Sequence, residues 1–158
     1  TYDYEPRTLD QRLAWYRERR AQGYPIFVAE VDADLPQSAR SQSRMLAGWS
    51  ALNPYHARPG FRFTAENSIY IAPPFRGKGL GKALLAPLID AAKAIGLKAV
   101  IAAIDAQNAP SLRLHENFGF VQVGLFKSVG YKFDRWLDVA YLELLLPGPT
   151  STGLRPIP

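Results

Sequence analysis

Residues 76 to 82 read Arg-Gly-Lys-Gly-Leu-Gly-Lys. They stand between an apolar run, Ile69-Tyr70-Ile71, and a stretch in which Leu80, Leu84, Leu88, Ala92 and Ile95 share one helical stripe. The pattern puts a glycine-rich, cationic turn at the N-terminus of an amphipathic helix that follows a strand. Unpaired backbone N–H groups at such a place, together with the helix dipole, hold phosphate or pyrophosphate, and glycines let the backbone come close. A flexible turn leading into a helix would use the same glycines, so spacing has to discriminate. A Walker loop needs glycine at 76 and Ser or Thr at 83, where Arg76 and Ala83 stand; a dinucleotide fingerprint needs glycine at 82, where Lys82 stands. Neither fits.

The remaining pattern alternates elements around this unit. Thr8 and Gln11 have capping-box spacing, and Leu9, Leu13 and Tyr16 recur at helical intervals, which predicts a helix over about 8 to 22. Ile26 to Val31 reads as a strand, 33–44 as a polar, serine-rich surface insertion, and Met45 to Leu52 as a second strand. A loop carrying Pro59 and Gly60 returns to a strand at about 65 to 72, and the helix from Gly79 runs to Gly96 with a bend expected at Pro87. The unbroken Ala99 to Ile104 run suits a strand covered on both faces. Asn108 and Pro110 open a short helix that Gly119 closes, and Phe120 to Leu146 reads as two long strands joined near Tyr131 to Arg135. Residues 1–146 form the expected mixed α/β (α+β) domain, with a Pro/Gly-rich, disordered tail at 147–158.

Composition narrows the chemistry. No apolar run approaches the roughly 20 residues of a membrane span, so no membrane association is expected. There is no cysteine and there are two histidines, His56 and His115, which removes thiolate metal sites and cysteine nucleophiles and leaves no metal expected. The chain opens at Thr1 without a basic-then-apolar leader, and cytoplasm is the expected compartment. The net charge of +5 favours an anionic ligand, but the basic residues are dispersed. A small phosphorylated ligand fits, and no nucleic acid is expected.

Arg76, Gly79 and Gly81 spell Arg-x-x-Gly-x-Gly, which resembles the acetyl-CoA pyrophosphate loop of the GNAT superfamily of N-acyltransferases. The segment from Asn108 to Phe120 is similar to that superfamily's later helix, with Asn at its start and Gly-Phe at its end. More narrowly, Arg12 to Tyr16, Gly23 to Pro25, Phe61 to Glu66, Lys132-Phe133 and Arg135 to Asp138 resemble the phosphinothricin and methionine sulfoximine acetyltransferase branch, over about residues 2 to 146. The resemblance implies a mostly antiparallel sheet flanked by helices, acetyl-CoA as acyl donor, no metal, and transfer to the amine of a small amino acid or analogue. It also implies a homodimer, built in part by the hairpin bearing Lys132, Phe133 and Arg135. Two departures stand out: the family's first strand and helix would precede Thr1, and 33–44 is longer than the usual connection.

Acetyl transfer from a thioester to an amine needs a group that takes the amine's proton, because amines with pKa values of roughly 8 to 10 arrive mostly protonated. Resemblance assigns this to Glu66 in Thr-Ala-Glu, which would otherwise be a strand-end carboxylate. It assigns Ile69, Tyr70 and Ile71 to the donor, their backbone pairing with the pantetheine arm. Arg76, Gly77, Lys78, Gly79, Leu80, Gly81 and Lys82 take the pyrophosphate, and Asn108 hydrogen-bonds the arm or only caps its helix. His115 stands where many members carry a tyrosine that protonates the departing thiolate; a lone helical histidine is also an ordinary structural residue. Pro59, Gly60, Phe61 and Arg62 resemble the acceptor-contacting segment, with Arg62 facing a substrate carboxylate, or they cap the core. His56 has no assigned role. Two competing readings are acetylation of another amine, such as a polyamine, an aminoglycoside or a protein N-terminus, and a CoA-binding module without turnover.

Overall fold

The computed structural model describes residues 4–32 and 44–149. Helix α1 (Leu9–Ala21) starts at a complete capping box: Gln11 N–H donates to Thr8 Oγ1 at 3.3 Å and Thr8 N–H to Gln11 Oε1 at 3.0 Å. Strands β1 (Ile26–Asp32), β2 (Arg44–Pro54) and β3 (Thr64–Ile71) follow, then α2 (Leu80–Ala94), β4 (Ala99–Asp105), α3 (Ala109–Glu116), β5 (Val121–Lys132) and β6 (Arg135–Leu145). The six strands form one sheet in the order β1-β2-β3-β4-β6-β5, antiparallel except for β3 and β4. The expected insertion and tail fall largely outside the described residues: 33–43 and 150–158 are not described, and Arg44 already belongs to β2.

Helix α2 supplies the core. Leu84, Leu85, Leu88, Ile89 and Ala92 are buried against Leu52, Ala65, Val100, Ala102 and Leu142 of the sheet. Each fully buried leucine contributes about 1.5–3 kcal/mol relative to exposure, which outweighs the missing amide of Pro87. The helix therefore runs through the proline without ending. On the opposite face α1 behaves differently from its sequence pattern. Leu9, Leu13 and Tyr16 stay exposed, and the helix meets β2 through Trp15 and Arg19, both hydrogen-bonded to Asn53 Oδ1 at 3.3 and 3.2 Å.

The one parallel pair shapes the centre of the molecule. β3 and β4 pair only at Thr64, Ala65 and Glu66 with Ala99, Val100 and Ile101, after which the strands diverge. Ala72 N–H donates to Ala47 O and Tyr55 N–H to Thr64 O, which fixes the alternation along β3. Glu66, Ser68 and Tyr70 direct their backbone groups at β2, whereas Asn67, Ile69 and Ile71 direct theirs into the gap left by β4. At the far edge, β5 and β6 are joined through Phe133 and Asp134, both at positive φ (57° and 55°), a tight turn of the type favoured between antiparallel strands.

Candidate active site

Strand β3 ends at Ile71, and the chain passes through Pro73–Phe75 into the glycine-rich loop. Gly77 and Gly79 both have φ in the left-handed region (73° and 81°), which side chains with a Cβ rarely adopt. Gly79 caps α2, and the bond from Ala83 N–H to Gly79 O (3.2 Å) is the first turn of the helix. The amides of the preceding residues, up to Lys82, therefore have no carbonyl within the helix. Arg76 Nε donates to Ile71 O at 3.1 Å and ties the loop to the strand end. Gly81 faces Leu114 of α3: a Cβ there would lie 2.9 Å from Leu114 Cδ2 and would push that side-chain end aside. Lys82 is exposed and Lys78 lies over the Phe75 ring at 5.7 Å, which completes a cationic, amide-lined turn of the sign that suits an anion.

The cradle opens onto the gap between β3 and β4. The backbone groups of Ile69 and the amide of Ile71, whose carbonyl accepts from Arg76, line one side as a strand edge suited to hydrogen-bond an extended amide-containing chain. Tyr70 is not part of that edge, because its backbone pairs with Trp49; its ring stacks on Trp49 at 4.7 Å. Asn108 caps α3 at the end of β4, with Oδ1 accepting from Ser111 N–H at 3.3 Å.

Glu66 sits at the last paired step before the gap, on the α1 face of the sheet with Ser68 and Tyr70. Burial pushes its carboxyl above the ordinary value of 4.5. Tyr141 of β6 is nearby, and its phenol is raised by burial and then by the Glu66 and Tyr55 charges. A carboxylate of raised affinity for a proton beside an open strand edge can accept a proton from a bound amine.

His115 lies on the other face, buried and edge-on to Phe120 at 5.0 Å. Nδ1 is 2.8 Å from Ser111 O and Nε2 is 2.9 Å from Asn67 Nδ2. A carbonyl only accepts, so Nδ1 carries the proton and Nε2 takes the Asn67 amide hydrogen. Burial lowers the imidazole's pKa, with the Ser111 bond opposing, which favours this neutral form. In this arrangement His115 holds no proton directed at a departing thiolate; it braces α3 against β3 at the residue whose backbone opens the gap.

The segment expected to meet the acceptor is a one-turn helix, Pro59–Phe61, beside the start of β3. Phe61 packs on Tyr55 and His56 at 5.7 and 5.1 Å, and Arg62 stacks on its neighbour Phe63 at 4.5 Å. A cavity of about 520 Å³ lies elsewhere on the same face, over Ser68 and Tyr70, and neither Phe61 nor Arg62 lines it. Its walls are residues 4–7, Arg12 and Trp15 of α1, Trp49 and Asn53 of β2, and Lys132 from the hairpin. Sequence reasoning missed this wall, although Arg12, Trp15 and Arg19 share a helical face at i, i+3 and i+7.

Comparison with known proteins accounts for this geometry. The acetyltransferase (GNAT) family matches residues 1–120. The L-methionine sulfoximine/L-methionine sulfone acetyltransferase of Salmonella typhimurium is 39% identical over 137 residues, covering 87% of this chain and 74% of that protein. The L-amino acid N-acyltransferase MnaT of Escherichia coli is 38% identical over 90% of this chain and 76% of its own length. Among solved structures, a phosphinothricin acetyltransferase from Sinorhizobium meliloti in complex with AcCoA superposes with a TM-score of 0.82 at 33% identity, over 99% of this chain and 81% of that one. With its glycine-rich cradle, parted central strands and matching relatives, the chain belongs to the GNAT family of acetyltransferases.

Proposed function

We propose that this protein transfers the acetyl group of acetyl-CoA to the α-amine of a small amino acid or amino-acid analogue, of the kind named for its methionine sulfoximine and phosphinothricin relatives. The observation that carries the reading is the half-buried Glu66 at the mouth of an amide-lined gap that continues into the Arg76–Lys82 cradle. When bound, acetyl-CoA supplies an activated thioester. Arg76, Gly77, Lys78, Gly79, Leu80, Gly81 and Lys82 hold the pyrophosphate through amides and cationic side chains. The amides of Ile69 and Ile71 and the carboxamide of Asn108 align the pantetheine arm, and an N–H of the β3 edge polarises the carbonyl. Glu66, directly or through water, takes the proton that the attacking amine gives up, and as the C–S bond breaks the CoA thiolate leaves and takes a proton from solvent. His115 keeps Asn67, and with it the β3 edge, in register with α3.

The proposal extends to a homodimer in the cytoplasm. The β5–β6 hairpin supports the pairing: Phe126, Val129, Phe133 and Trp136 are each more than half exposed, with Phe133 at 76% on the turn. An apolar patch on an edge hairpin is the surface a second copy covers.

A thiol-release assay with acetyl-CoA tests the reading, using methionine sulfoximine, phosphinothricin, ordinary amino acids and polyamines as acceptors. Turnover with the amino-acid type, lost in Glu66→Gln, is the expected result. Turnover only with polyamines would replace the acceptor class. Acetyl-CoA binding with silence across the panel would leave a binding module.

A further inference from the structure

The cavity on the α1 face has a floor of locked side chains. Trp49 and Tyr70 are stacked, and Asn53 is committed at both ends: its Oδ1 accepts from Trp15 and Arg19, and its Nδ2 donates to Ser68 Oγ at 3.2 Å. Arg12 enters from α1 between two indoles, its guanidinium 5.5 Å from the Trp15 ring centre and 5.3 Å from that of Trp49. Those ring contacts fix its position, and among the described residues it makes no ion pair and no hydrogen bond. A guanidinium held by aromatic faces, with its planar fork of donors unused inside a cavity, is arranged to receive a carboxylate. Among the described residues, three cations, Arg7, Arg12 and Lys132, and one carboxylate, Glu5, line the cavity. Ser68 and Tyr70 on the floor lie on the same face of β3 as Glu66, one and two side-chain steps along the strand. By contrast Arg62 is stacked on Phe63 outside the cavity.

We infer that Arg12 is the carboxylate receptor of the acceptor site: it binds the α-carboxylate of the amino acid against the Trp15 and Trp49 faces, and Arg62 does not. The inference rests on the amino-acid transfer reading and adds to it the group that separates amino acids from simple amines. Because the cavity is apart from the Arg76–Lys82 cradle, Arg12 sets acceptor affinity without affecting donor affinity.

The test compares one amino acid with its α-carboxamide, in wild type, Arg12→Gln, Arg12→Lys and Arg62→Gln. Two readouts are used, steady-state thiol release and binding followed by the fluorescence of Trp15 and Trp49. A charged fork lost from a carboxylate weakens affinity by about 10- to 100-fold. Arg12→Gln is expected to raise KM and Kd for the acid by that factor and to leave the amide, which wild type binds weakly, unchanged. Arg12→Lys keeps the charge and falls between, and the KM for acetyl-CoA stays at the wild-type value in every variant. Melting curves identify any variant that does not fold, and Arg12→Lys then carries the comparison. Equal affinity of wild type for acid and amide overturns the inference, as does an acid preference that survives Arg12→Gln or disappears in Arg62→Gln. The fluorescence arm keeps it separable from the activity: acid binding that depends on Arg12 without thiol release for any amine refutes the transfer reading and upholds the receptor.

Discussion

At the residue scale the protein holds two titratable groups in opposite senses. Burial raises the Glu66 pKa, so the folded state disfavours its charge. The penalty is absent below the ordinary value of 4.5 and develops as pH rises through the raised folded value. Glu66→Gln should therefore melt at a higher temperature than wild type at about pH 8, the gap closing near pH 4, while kcat falls by about 10²- to 10⁴-fold. Wild-type kcat/KM should lose its rate on the acid side above the usual glutamate range; a limb at ordinary values would show that burial does not raise the Glu66 pKa. His115 runs the other way. Its folded pKa is lowered, so stability is full above the unfolded value of 6.5 and is lost as pH falls from there through the lowered folded value. His115→Gln should cost about 1–3 kcal/mol through the broken bonds to Asn67 and Ser111, and should erase that acid-side slope in melting temperature. An unchanged slope would place the acid sensitivity elsewhere.

At the scale of elements, the turn into α2 and the parting of β3 from β4 make the donor site. Gly79→Ala forces a side chain into φ 81°, at a cost of about 1–2 kcal/mol, and should raise the KM for acetyl-CoA with little change in the KM of the acceptor. Equal rises in both would show that the loop acts on the whole site. This element was legible in the sequence because its signals are local: glycine spacing, cationic neighbours and the apolar stripe of α2 lie close together along the chain. Along β3, Ile69, Tyr70 and Ile71 read as one donor-facing run, yet the strand's period of two turns the Tyr70 backbone to Trp49 of β2 and leaves its neighbours at the gap. For α1 the local signal misleads, since Leu9, Leu13 and Tyr16 make the better helical stripe yet Trp15 and Arg19 face the sheet. Their hydrogen bonds to Asn53 decide the helix's rotation, and Asn53 lies 38 residues from Trp15.

For the molecule as a whole, the exposed hairpin is the feature that a single chain leaves unfinished. Replacing Phe133 and Trp136 together by Asp puts charge into the patch that the second copy is to cover. Sedimentation should then shift from dimer to monomer. A wild-type chain that sediments as a monomer would dismiss the pairing. The variant's folding should survive, since both side chains are largely exposed, and the core between α2 and the sheet is untouched.

What the sequence determined by itself is the part written in short-range chemistry: the capping box of α1 and the glycine-rich cationic turn that opens α2. Tertiary structure decided where distant residues meet. It joined His115 to Asn67 across 48 residues, so that both ring nitrogens are engaged, one with Asn67 and the other with Ser111 O. It also put Arg12 between two tryptophans and beside Lys132, while Arg62 stayed on Phe63. The physical reason is the same in each case. A side chain's tautomer, partner and exposure depend on what the folded sheet brings against it, and no spacing within one segment encodes that.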